Sequence, residues 1–467
     1  MGRTETLVKN TAILSIGTIC TKILTFVMVP LFSRWLSTED YGDFDLLCTY
    51  ITLLIPLVTL SCGEALFRKL IDAKDRERSA GITSTCMAIV AVGCFSMLLV
   101  SAVVMYFYRP SLILSFLALS LGELLNNFLM YYARGKRKLR IYAIASIIFV
   151  VSMSLFVTLF IYVWSVGLNG ILYGYAVGYV CSALLLVFKT GILQDFDKNA
   201  INRKDLKEIV AYSAPLIPNA ISWWIANVSD RTIVSFVLGS TANGIYALSN
   251  KIPAICTALF SVFHLSWQET ASDSISSKDR EKYFNNIFNK TFILIVSLSI
   301  LVLSTNKLLF DFIFDARYSD GRYYVSILMA AIIFSFMAQF IGGIFIAFQN
   351  TKVNGATTII AAFLNITINV ALIKPLGLYA ASLSTLISYL VLYIIRIIKV
   401  SPYIKLQVRN DVIVNLLLFL LFAAIQYVDS LPLHLTSIPL ACGIFFFSNR
   451  KTVAPYLEKI AHKLHLK

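Results

Sequence analysis

The chain has 467 residues, of which 58% are hydrophobic and only 14% are charged. A soluble protein carries about 25% charged residues, so this composition excludes an ordinary soluble enzyme. The formal net charge of +15 would suit a nucleic-acid-binding protein, but the basic residues lie between apolar runs and alternate in density from loop to loop. This pattern indicates a membrane protein and argues against nucleic acid as a partner.

Apolar runs follow one another along most of the chain, and each is long enough to cross a hydrocarbon core of about 30 Å. They predict an all-α, polytopic membrane protein of about 14 transmembrane helices. No Ala-x-Ala cleavage site follows the first run, so we interpret it as a retained span. The predicted spans are 11–34, 44–66, 81–107, 111–133, 141–164, 168–189, 209–238, 243–268, 286–305, 323–348, 355–375, 377–398, 410–428 and 433–449.

Basic residues concentrate on one side of the predicted membrane. They lie around residues 1–9, 68–78, 134–140, 198–207 and 278–282, in the cluster that runs from Arg396 to Arg409, and in the C-terminal tail. The opposite side has few basic residues and contains the acidic stretch 39–45. Because cytoplasmic loops carry the excess of Lys and Arg, both termini are predicted to be cytoplasmic.

A short stretch of the sequence occurs twice. Residues 36–46 are echoed about 202 residues later by residues 238–248, with Gly42 matched to Gly244. Six predicted spans separate the copies, so both have the same orientation and the halves are predicted to be parallel repeats about an axis along the membrane normal. Each copy is predicted to form a Gly-centred turn between two spans.

The repeat predicts the domain organisation. A second correspondence, between residues 166–168 before the sixth span and 376–378 before the twelfth, supports two equivalent halves. We expect the tail to form a basic amphipathic helix on the cytoplasmic leaflet, with a plain solvated tail as the alternative. The predicted parts are an N-terminal six-helix lobe at 1–189, a cytoplasmic linker at 190–208, a C-terminal six-helix lobe at 209–400, two additional spans at 401–449 and the tail at 450–467.

Charged residues inside the predicted spans are the strongest indication of function. A charge at the centre of a membrane costs roughly 2.5–3.5 kcal/mol on insertion scales, so it should face protein or a water-filled cavity. Lys22 lies near the middle of the first span, on a polar stripe with Thr18 and Thr25. About 15 Å of helix separates it from either end, which argues against snorkelling. We predict that Lys22 lines a cavity.

The seventh span carries a second polar stripe, formed by Trp223, Asn227, Asp230 and Arg231. Asp230 and Lys251 of the eighth span lie at similar depths below the second copy of the repeat, so they could form a structural ion pair. Alternatively, Arg231 and Lys251 line a cationic path whose charge Asp230 tunes. The sequence is compatible with both interpretations.

Two further residues are candidates for ion coupling or ion pairing. Glu123, with Asn127 one turn later, lies in the fourth span, and His264 lies in the eighth. Interhelical hydrogen bonding explains such residues equally well. Prolines inside spans one, two, seven and eight permit bending and are predicted hinges, although proline kinks can be static. These prolines are Pro30, Pro56, Pro215, Pro218 and Pro253.

With these spans in place, the chain resembles the oligosaccharide flippases of the polysaccharide transporter family. That family belongs to a superfamily that includes multidrug and toxin extruders and lipid II flippases. The resemblance rests on the stretch from Asn10 to Gly17, on residues 34–42, on residues 229–233, and on residues 243–246 with Lys251. It implies two pseudo-symmetric six-helix lobes forming a V-shaped central cavity that opens alternately to each side of the membrane, plus two extra C-terminal helices.

The resemblance also implies a function. Such proteins translocate undecaprenyl-diphosphate-linked oligosaccharide repeat units from the cytoplasmic to the outer leaflet of the bacterial inner membrane, for O-antigen, capsule or exopolysaccharide biosynthesis. It places cavity charge at Lys22, Arg231 and Lys251. It implies membrane lipids as partners, together with a polysaccharide polymerase and its chain-length machinery.

The sequence favours this function over two alternatives. A cation-coupled multidrug exporter of the same superfamily should have an acidic cavity, and a polytopic polysaccharide polymerase or ligase should have a large outer loop. The sequence has no phosphate-cradling Gly-rich loop, zinc-site His pair or nucleophile elbow. We therefore expect a transporter without enzymatic activity, metal or cofactor.

Overall fold

The computed structural model describes residues 21–465 except 74, 109–110, 276–278 and 349. The side chains described are those of residues 21–450, apart from these gaps and from residues 108, 219, 223, 226, 227, 259, 261, 262, 265, 266, 269, 273 and 351. The first predicted span therefore lies partly outside the described residues, and in the predicted amphipathic tail the side chains after Arg450 lie outside them.

The regular structure of the described residues is helical. Ten of its helices are long and apolar enough to cross a membrane, which confirms the prediction of an all-helical, polytopic membrane fold. The helices are α1 (21–35), α2 (Thr38–Val58), α3 (Cys62–Asp72), α4 (Arg76–Tyr108), α5 (Ile113–Gly135), α6 (Leu139–Thr158), α7 (Leu168–Thr190), α8 (Arg203–Ser213), α9 (Leu216–Leu238), α10 (Ser240–Ser274), α11 (Arg280–Leu308), α12 (Gly321–Ala347), α13 (Thr351–Leu376), α14 (Leu378–Val400), α15 (Asn410–Ile425) and α16 (Leu431–His465).

Two of the predicted spans are broken into separate helices. The second, 44–66, is divided between α2 and α3 because Leu60 and Ser61 have φ values of 51° and 53°, in the left-handed region that ends a right-handed helix. The seventh, 209–238, is divided between α8 and α9 at Pro215, which cannot donate the backbone hydrogen bond of a helix interior. At the other end of the chain, the last predicted span and the tail form one helix, α16.

The prediction of Gly-centred turns in the repeat is wrong. Gly42 and Gly244 are buried inside α2 and α10, and the chain turns five residues earlier. In the first copy the Ser37 hydroxyl accepts a hydrogen bond from the Asp40 backbone amide at 3.0 Å. This contact caps α2, which begins at the next residue, Thr38. In the second copy the turn is made by Gly239, whose φ of 90° favours glycine.

The second sequence correspondence has the same backbone conformation in both halves. Gly167 and Gly377 precede α7 and α14 with φ/ψ values of 64°/−140° and 55°/−135°. Both helices are 23 residues long. Only glycine adopts this conformation easily, and the shared conformation agrees with the correspondence seen in the sequence.

The chain divides into two compact units, Met1–Val228 (unit 1) and Ser229–Lys467 (unit 2). Their boundary falls inside α9. The lobe and linker boundaries drawn from the sequence stay predictions.

In unit 1, glycines on α7 allow α6 to pack closely. A Cβ atom on Gly174 would lie 2.7 Å from the backbone nitrogen of Val157, and one on Gly178 would lie 2.8 Å from the Cβ of Met153. Real Cβ atoms do not approach other atoms so closely, so these positions need glycine at this packing distance. The small residues of the sixth predicted span therefore serve helix packing.

Ion pairs and hydrogen bonds hold the segment after α7 against earlier helices of unit 1. Asp195 pairs with Lys136 and accepts a hydrogen bond from the Tyr132 hydroxyl at 2.8 Å. Partial burial by itself would raise the pKa of Asp195, but these two donors outweigh it and lower the pKa. Lys69 and Arg78 bind Glu208 at 3.0 and 2.7 Å, and the Lys69 hydrogen bond lowers the pKa of that carboxyl group.

In unit 2, the two additional helices α15 and α16 are fixed against α11 and α12. Lys307 of α11 binds Asp311 at 2.9 Å and Asp429, in the loop between α15 and α16, at 2.7 Å. Arg322 of α12 lies 3.5 Å from Asp429. The hydrogen bond from Lys307 lowers the pKa of Asp429.

The basic cluster from Arg396 to Arg409 begins inside α14 and ends just before α15. Arg396 is only 4% exposed and lies within α14. Its guanidinium donates to the carbonyl oxygens of Ala338 at 2.7 Å and Asn354 at 3.1 Å, and to the hydroxyls of Thr357 and Thr358. It therefore joins α12, α13 and α14.

Adjacent glycines in α12 give side chains of other helices access to its backbone. The indole nitrogen of Trp267 in α10 donates to the Phe340 carbonyl at 2.9 Å. A Cβ atom on Gly343 would lie 2.8 Å from the Trp267 ring, and one on Gly342 would lie 3.0 Å from the Arg396 guanidinium. The two glycines thus provide the space for the contacts of α12 with α10 and α14.

The first prediction concerns this glycine pair. We expect Gly343→Ala to lower the free energy of unfolding by about 1–3 kcal/mol, because the added methyl group overpacks against Trp267. The measurement is thermal or denaturant unfolding of the purified protein in detergent. The matched control is Gly355→Ala in α13, where an added Cβ atom meets nothing within 4 Å; this change should raise helix stability by about 0.5–1 kcal/mol. Equal effects of the two substitutions would contradict the packing argument.

Candidate functional site

Lys22 lies in α1 with an exposed side chain. Near it, the Thr25 hydroxyl donates to the Thr21 carbonyl oxygen at 2.8 Å. This hydroxyl therefore hydrogen-bonds the backbone of its own helix. Thr18 lies outside the described residues. The role of Lys22 in a cavity stays a prediction.

Unit 1 contains a polar cavity around Glu123. The cavity has a volume of about 260 Å³ and lies between α5, the start of α6, and α7. Tyr179 of α7 lines the cavity together with Glu123. Asn126 also lines the cavity and is 7% exposed. Its Oδ1 atom has no hydrogen-bond partner within the described part of the chain. The opposite end of the cavity contains Arg134.

A second cavity of unit 1 adjoins the first. Its volume is about 370 Å³, and it shares Asn127 and Tyr131 with the Glu123 cavity. The Tyr131 hydroxyl donates to Glu64 of α3 at 2.7 Å, and the Arg134 guanidinium lies 4.6 Å from the Phe67 ring centre. One face of α5 therefore carries acidic, amide, phenolic and basic groups in succession. The sequence showed only the Glu123 and Asn127 part of it.

In unit 2, the central polar contact joins Asp230 to Tyr246. The Tyr246 hydroxyl donates to Asp230 Oδ2 at 2.5 Å, and the Arg231 backbone amide donates to Asp230 Oδ1 at 2.9 Å. Asp230 is 6% exposed and Tyr246 is fully buried. The tyrosine ring packs in a core cluster that includes Val234 and Leu328. Asp230 is therefore part of a buried contact between α9 and α10.

The remaining cationic candidates of unit 2 lie near this contact in the sequence. The side chains of Arg231 and Lys251 are half-buried. Whether Asp230 pairs with Lys251, and whether the two cations line a path, stay predictions. The side chains of Trp223 and Asn227 lie outside those described.

The sequence analysis missed Tyr246, although the repeat contains the signal. With the offset of the repeat, Tyr246 corresponds to Phe44 and Asp230 corresponds to Met28. Met28 and Phe44 are 6% and 5% exposed in unit 1. Unit 1 thus buries an apolar pair at the positions where unit 2 buries a hydrogen-bonded acid and phenol.

His264 lies beside the glycine pair of α12. Its Nε2 atom is 3.2 Å from the Gln339 carbonyl oxygen. Arg396, His264 and Trp267 thus contact three successive carbonyl groups of α12. These are the carbonyls of Ala338, Gln339 and Phe340, respectively. This arrangement accounts for His264 structurally, and its role in coupling stays a prediction.

The predicted hinge prolines occupy different helical positions. Pro30 lies in α1, Pro56 in the last turn of α2, and Pro253 inside α10, while Pro215 lies at the break before α9 and Pro218 in its first turn. Pro56 precedes the left-handed residues Leu60 and Ser61, so the chain is already sharply bent next to it. Pivoting at any of these prolines stays a prediction.

Solved structures of other proteins share this fold. The lipid II flippase MurJ, in an inward closed conformation, matches with a TM-score of 0.72 at 13% identity, over 95% of this chain and 99% of that chain. An inward-facing multidrug resistance MATE family transporter of the MOP superfamily matches with a TM-score of 0.62 at 14% identity, over 84% and 94%. An outward-facing transporter of the same description matches with a TM-score of 0.56 at 12% identity, over 85% and 96%. These likenesses establish a multi-pass membrane fold shared with MOP-superfamily transporters.

The family follows from the sequence. Residues 7–267, more than half of the chain, match the family described as polysaccharide biosynthesis protein. The chain belongs to this family, which confirms the resemblance found in the sequence. Comparison with curated proteins finds no match.

The second prediction concerns the Asp230–Tyr246 contact. We expect Tyr246→Phe to lower the free energy of unfolding by about 1.5–3 kcal/mol, because a hydrogen bond to a buried carboxyl group is lost. Adding Asp230→Met should restore part of this loss, because the double variant reproduces the apolar pair of unit 1. Thermal unfolding of the four proteins in one detergent gives the coupling energy.

The control for this cycle is Tyr162→Phe, which removes a hydroxyl from a side chain that is 72% exposed. This change should leave the unfolding temperature unchanged. If the effects of Tyr246→Phe and Asp230→Met simply add, the two groups do not act as a pair.

Proposed function

We propose that this protein is a flippase that moves undecaprenyl-diphosphate-linked oligosaccharide repeat units from the cytoplasmic to the outer leaflet by alternating access. The product would be used for O-antigen, capsule or exopolysaccharide biosynthesis. The observation that carries the proposal is the membership of the polysaccharide biosynthesis family together with a fold that matches the lipid II flippase over 95% of the chain. We place the protein in the bacterial inner membrane, with about 14 spans and both termini cytoplasmic.

The proposed pathway is a V-shaped central cavity formed by two pseudo-symmetric lobes. A diphosphate with its sugars cannot enter hydrocarbon unaided, so the pathway must supply cations and hydrogen-bond donors. Lys22, Arg231 and Lys251 would bind the diphosphate, and Asn227 and Trp223 would bind the sugars or orient the headgroup. The polyprenyl chain would remain in the lipid, and bending at the helix prolines would alternate the access.

The membrane potential favours this direction of transport. An inside-negative potential contributes about 2.3 kcal/mol per charge per 100 mV to the outward movement of an anion. Exchange with an ion at Glu123 or Asp230 would add a second driving force. Glu123 suits this role because its carboxyl group lines a cavity instead of packing in an apolar core.

The third prediction tests the cavity cation. We expect Lys22→Ala to lower the translocation rate of an undecaprenyl-diphosphate oligosaccharide at least tenfold, because the diphosphate loses a cationic contact. The measurement is the protection of a fluorescent lipid-linked oligosaccharide from a membrane-impermeant quencher in proteoliposomes.

Lys22→Arg is the matched control, since it retains the charge and should keep most of the activity. Both variants must insert and run as a single species in gel filtration. Unchanged translocation by well-folded Lys22→Ala would remove this residue from the proposed site.

The fourth prediction separates flippase from cation-coupled multidrug export, the function that the MATE-like fold also permits. We expect the reconstituted protein to translocate the lipid-linked oligosaccharide under an imposed potential and not to accumulate a cationic dye under a proton or sodium gradient. Drug accumulation without lipid translocation would overturn the proposal. A polymerase or ligase activity would instead join the oligosaccharides, which chromatography of the same reaction would detect.

Coupling through Glu123 is tested in the same vesicles. Glu123→Gln should abolish the stimulation by an ion gradient and retain the stimulation by the potential. Asn127→Asp, in the same cavity, is a control that adds an acid without removing Glu123. Gradient stimulation that survives Glu123→Gln would assign coupling elsewhere.

A further inference from the structure

A third cavity lies in unit 2, between α11 and the two additional helices. It has a volume of about 460 Å³ and lies where α11, α15 and α16 meet. Arg409 immediately precedes α15, and Arg450 is the last residue of the apolar segment Leu431–Arg450 of α16. The cavity is therefore at one end of membrane-spanning helices, where hydrocarbon meets headgroups and water.

The charges of this cavity are mostly positive. Lys290, Arg409 and Arg450 line it together with a single carboxylate, Asp411. Three cations and one anion leave a net charge of two positive. Arg409 forms an ion pair with Asp411, so Lys290 and Arg450 provide the excess charge.

Two asparagines of α11 fix Arg409 in place. Asn285 donates to the Lys405 carbonyl at 2.9 Å and accepts from the Gln407 amide at 2.7 Å. Asn289 donates to the Gln407 carbonyl at 2.8 Å and accepts from the Arg409 amide at 2.9 Å. The side-chain amides thus bind alternate residues of the segment before α15 as a neighbouring strand would. This ladder sets Arg409 next to α11, beside Lys290.

The opposite wall is fixed by α16. The Asn449 amide donates to the Ser297 hydroxyl of α11 at 2.8 Å, and the Ser448 hydroxyl donates to Asn415 Oδ1 of α15 at 3.0 Å. The Arg450 guanidinium lies 4.7 Å from the centre of the Phe447 ring. Each of the three helices is therefore joined to another at the cavity, and Arg409 and Arg450 are positioned before a ligand arrives.

The apolar part of the lining continues to the outside of the protein. Val414 and Phe447 line the cavity and are 54% and 68% exposed. On membrane-spanning helices such exposed apolar side chains face lipid chains. The site consequently combines a cationic end with an apolar wall that a hydrocarbon chain can follow.

We propose that this cavity binds the phosphate headgroup of an anionic phospholipid, with an acyl chain along Val414 and Phe447. Basic pockets between membrane helices bind such headgroups, and a guanidinium binds phosphate oxygens in a bidentate manner. The net positive charge selects an anionic lipid over a zwitterionic one. This proposal does not depend on the proposed transport function.

The experiment measures lipid binding by native mass spectrometry of the detergent-solubilised full chain. The probes are cardiolipin, phosphatidylglycerol and phosphatidylcholine, each added in a concentration series. We expect the two anionic lipids to bind more tightly than phosphatidylcholine. The double variant Lys290→Gln/Arg450→Gln should weaken anionic-lipid binding by about fivefold for each cation removed.

The matched control is Lys282→Gln/Lys399→Gln, which removes the same charge from exposed side chains outside the cavity. It should retain the affinity of the unaltered chain. Equal weakening in both double variants would overturn the proposal by showing a general charge effect, and so would equal binding of all three lipids.

Undecaprenyl phosphate serves as a further probe, because a polyprenyl phosphate has the same headgroup chemistry. If it displaces phosphatidylglycerol and binds more tightly in a manner that depends on Lys290 and Arg450, the cavity is a substrate site and the phospholipid proposal is wrong. A third variant, Val414→Trp, fills the apolar wall without changing charge. It should weaken binding of long-chain lipids and leave binding of short-chain phosphatidylglycerol unchanged.

Discussion

A polar group inside hydrocarbon must find its partner within the protein, and the rest of this structure depends on that constraint. The backbone satisfies it by forming helices. Arg396 shows the constraint for a side chain: 4% exposed, it donates to two backbone carbonyls and two threonine hydroxyls of the neighbouring helices. A Cβ atom at position 342 would lie 3.0 Å from this guanidinium, so the glycine gives the donors room and the position of the charge is linked to the spacing of three helices.

The helical membrane fold could be predicted from the sequence because long apolar runs and alternating basic loops are properties of the chain itself. Helix ends were predicted less well, since they depend on single local contacts. The Ser37 hydroxyl starts α2 before the acidic stretch that was taken as a loop, and Leu60 with Ser61 ends it inside an apolar run. Hydropathy does not distinguish a continuous span from two helices separated by a left-handed turn.

The partners of the candidate residues were harder to predict for a different reason. Asp230 was recognisable as a charge in an apolar helix, but its contact with Tyr246 depends on how α9 and α10 are rotated against each other. The sequence groups Arg396 with the basic cluster on one side of the membrane, because it lies near other basic residues. Its acceptor on α12, the Ala338 carbonyl oxygen, lies 58 residues away in the sequence. Periodicity identifies the face of a helix, and only the packing identifies what that face meets.

The duplication provides the information that periodicity lacks. Where unit 2 has Asp230 and Tyr246, unit 1 has Met28 and Phe44, all of them buried. The Tyr246 hydroxyl donates to Asp230 in unit 2, so removing either group removes a buried hydrogen bond at a cost of about 1–3 kcal/mol. A single change from these polar residues to the apolar ones is therefore unfavourable, whereas changing both removes the donor and the acceptor together. The same glycine conformation precedes α7 and α14. At the positions that the repeat matches, unit 2 buries a hydrogen-bonded acid and phenol where unit 1 buries two apolar side chains, so a polar contact can replace an apolar one there only when donor and acceptor are introduced together.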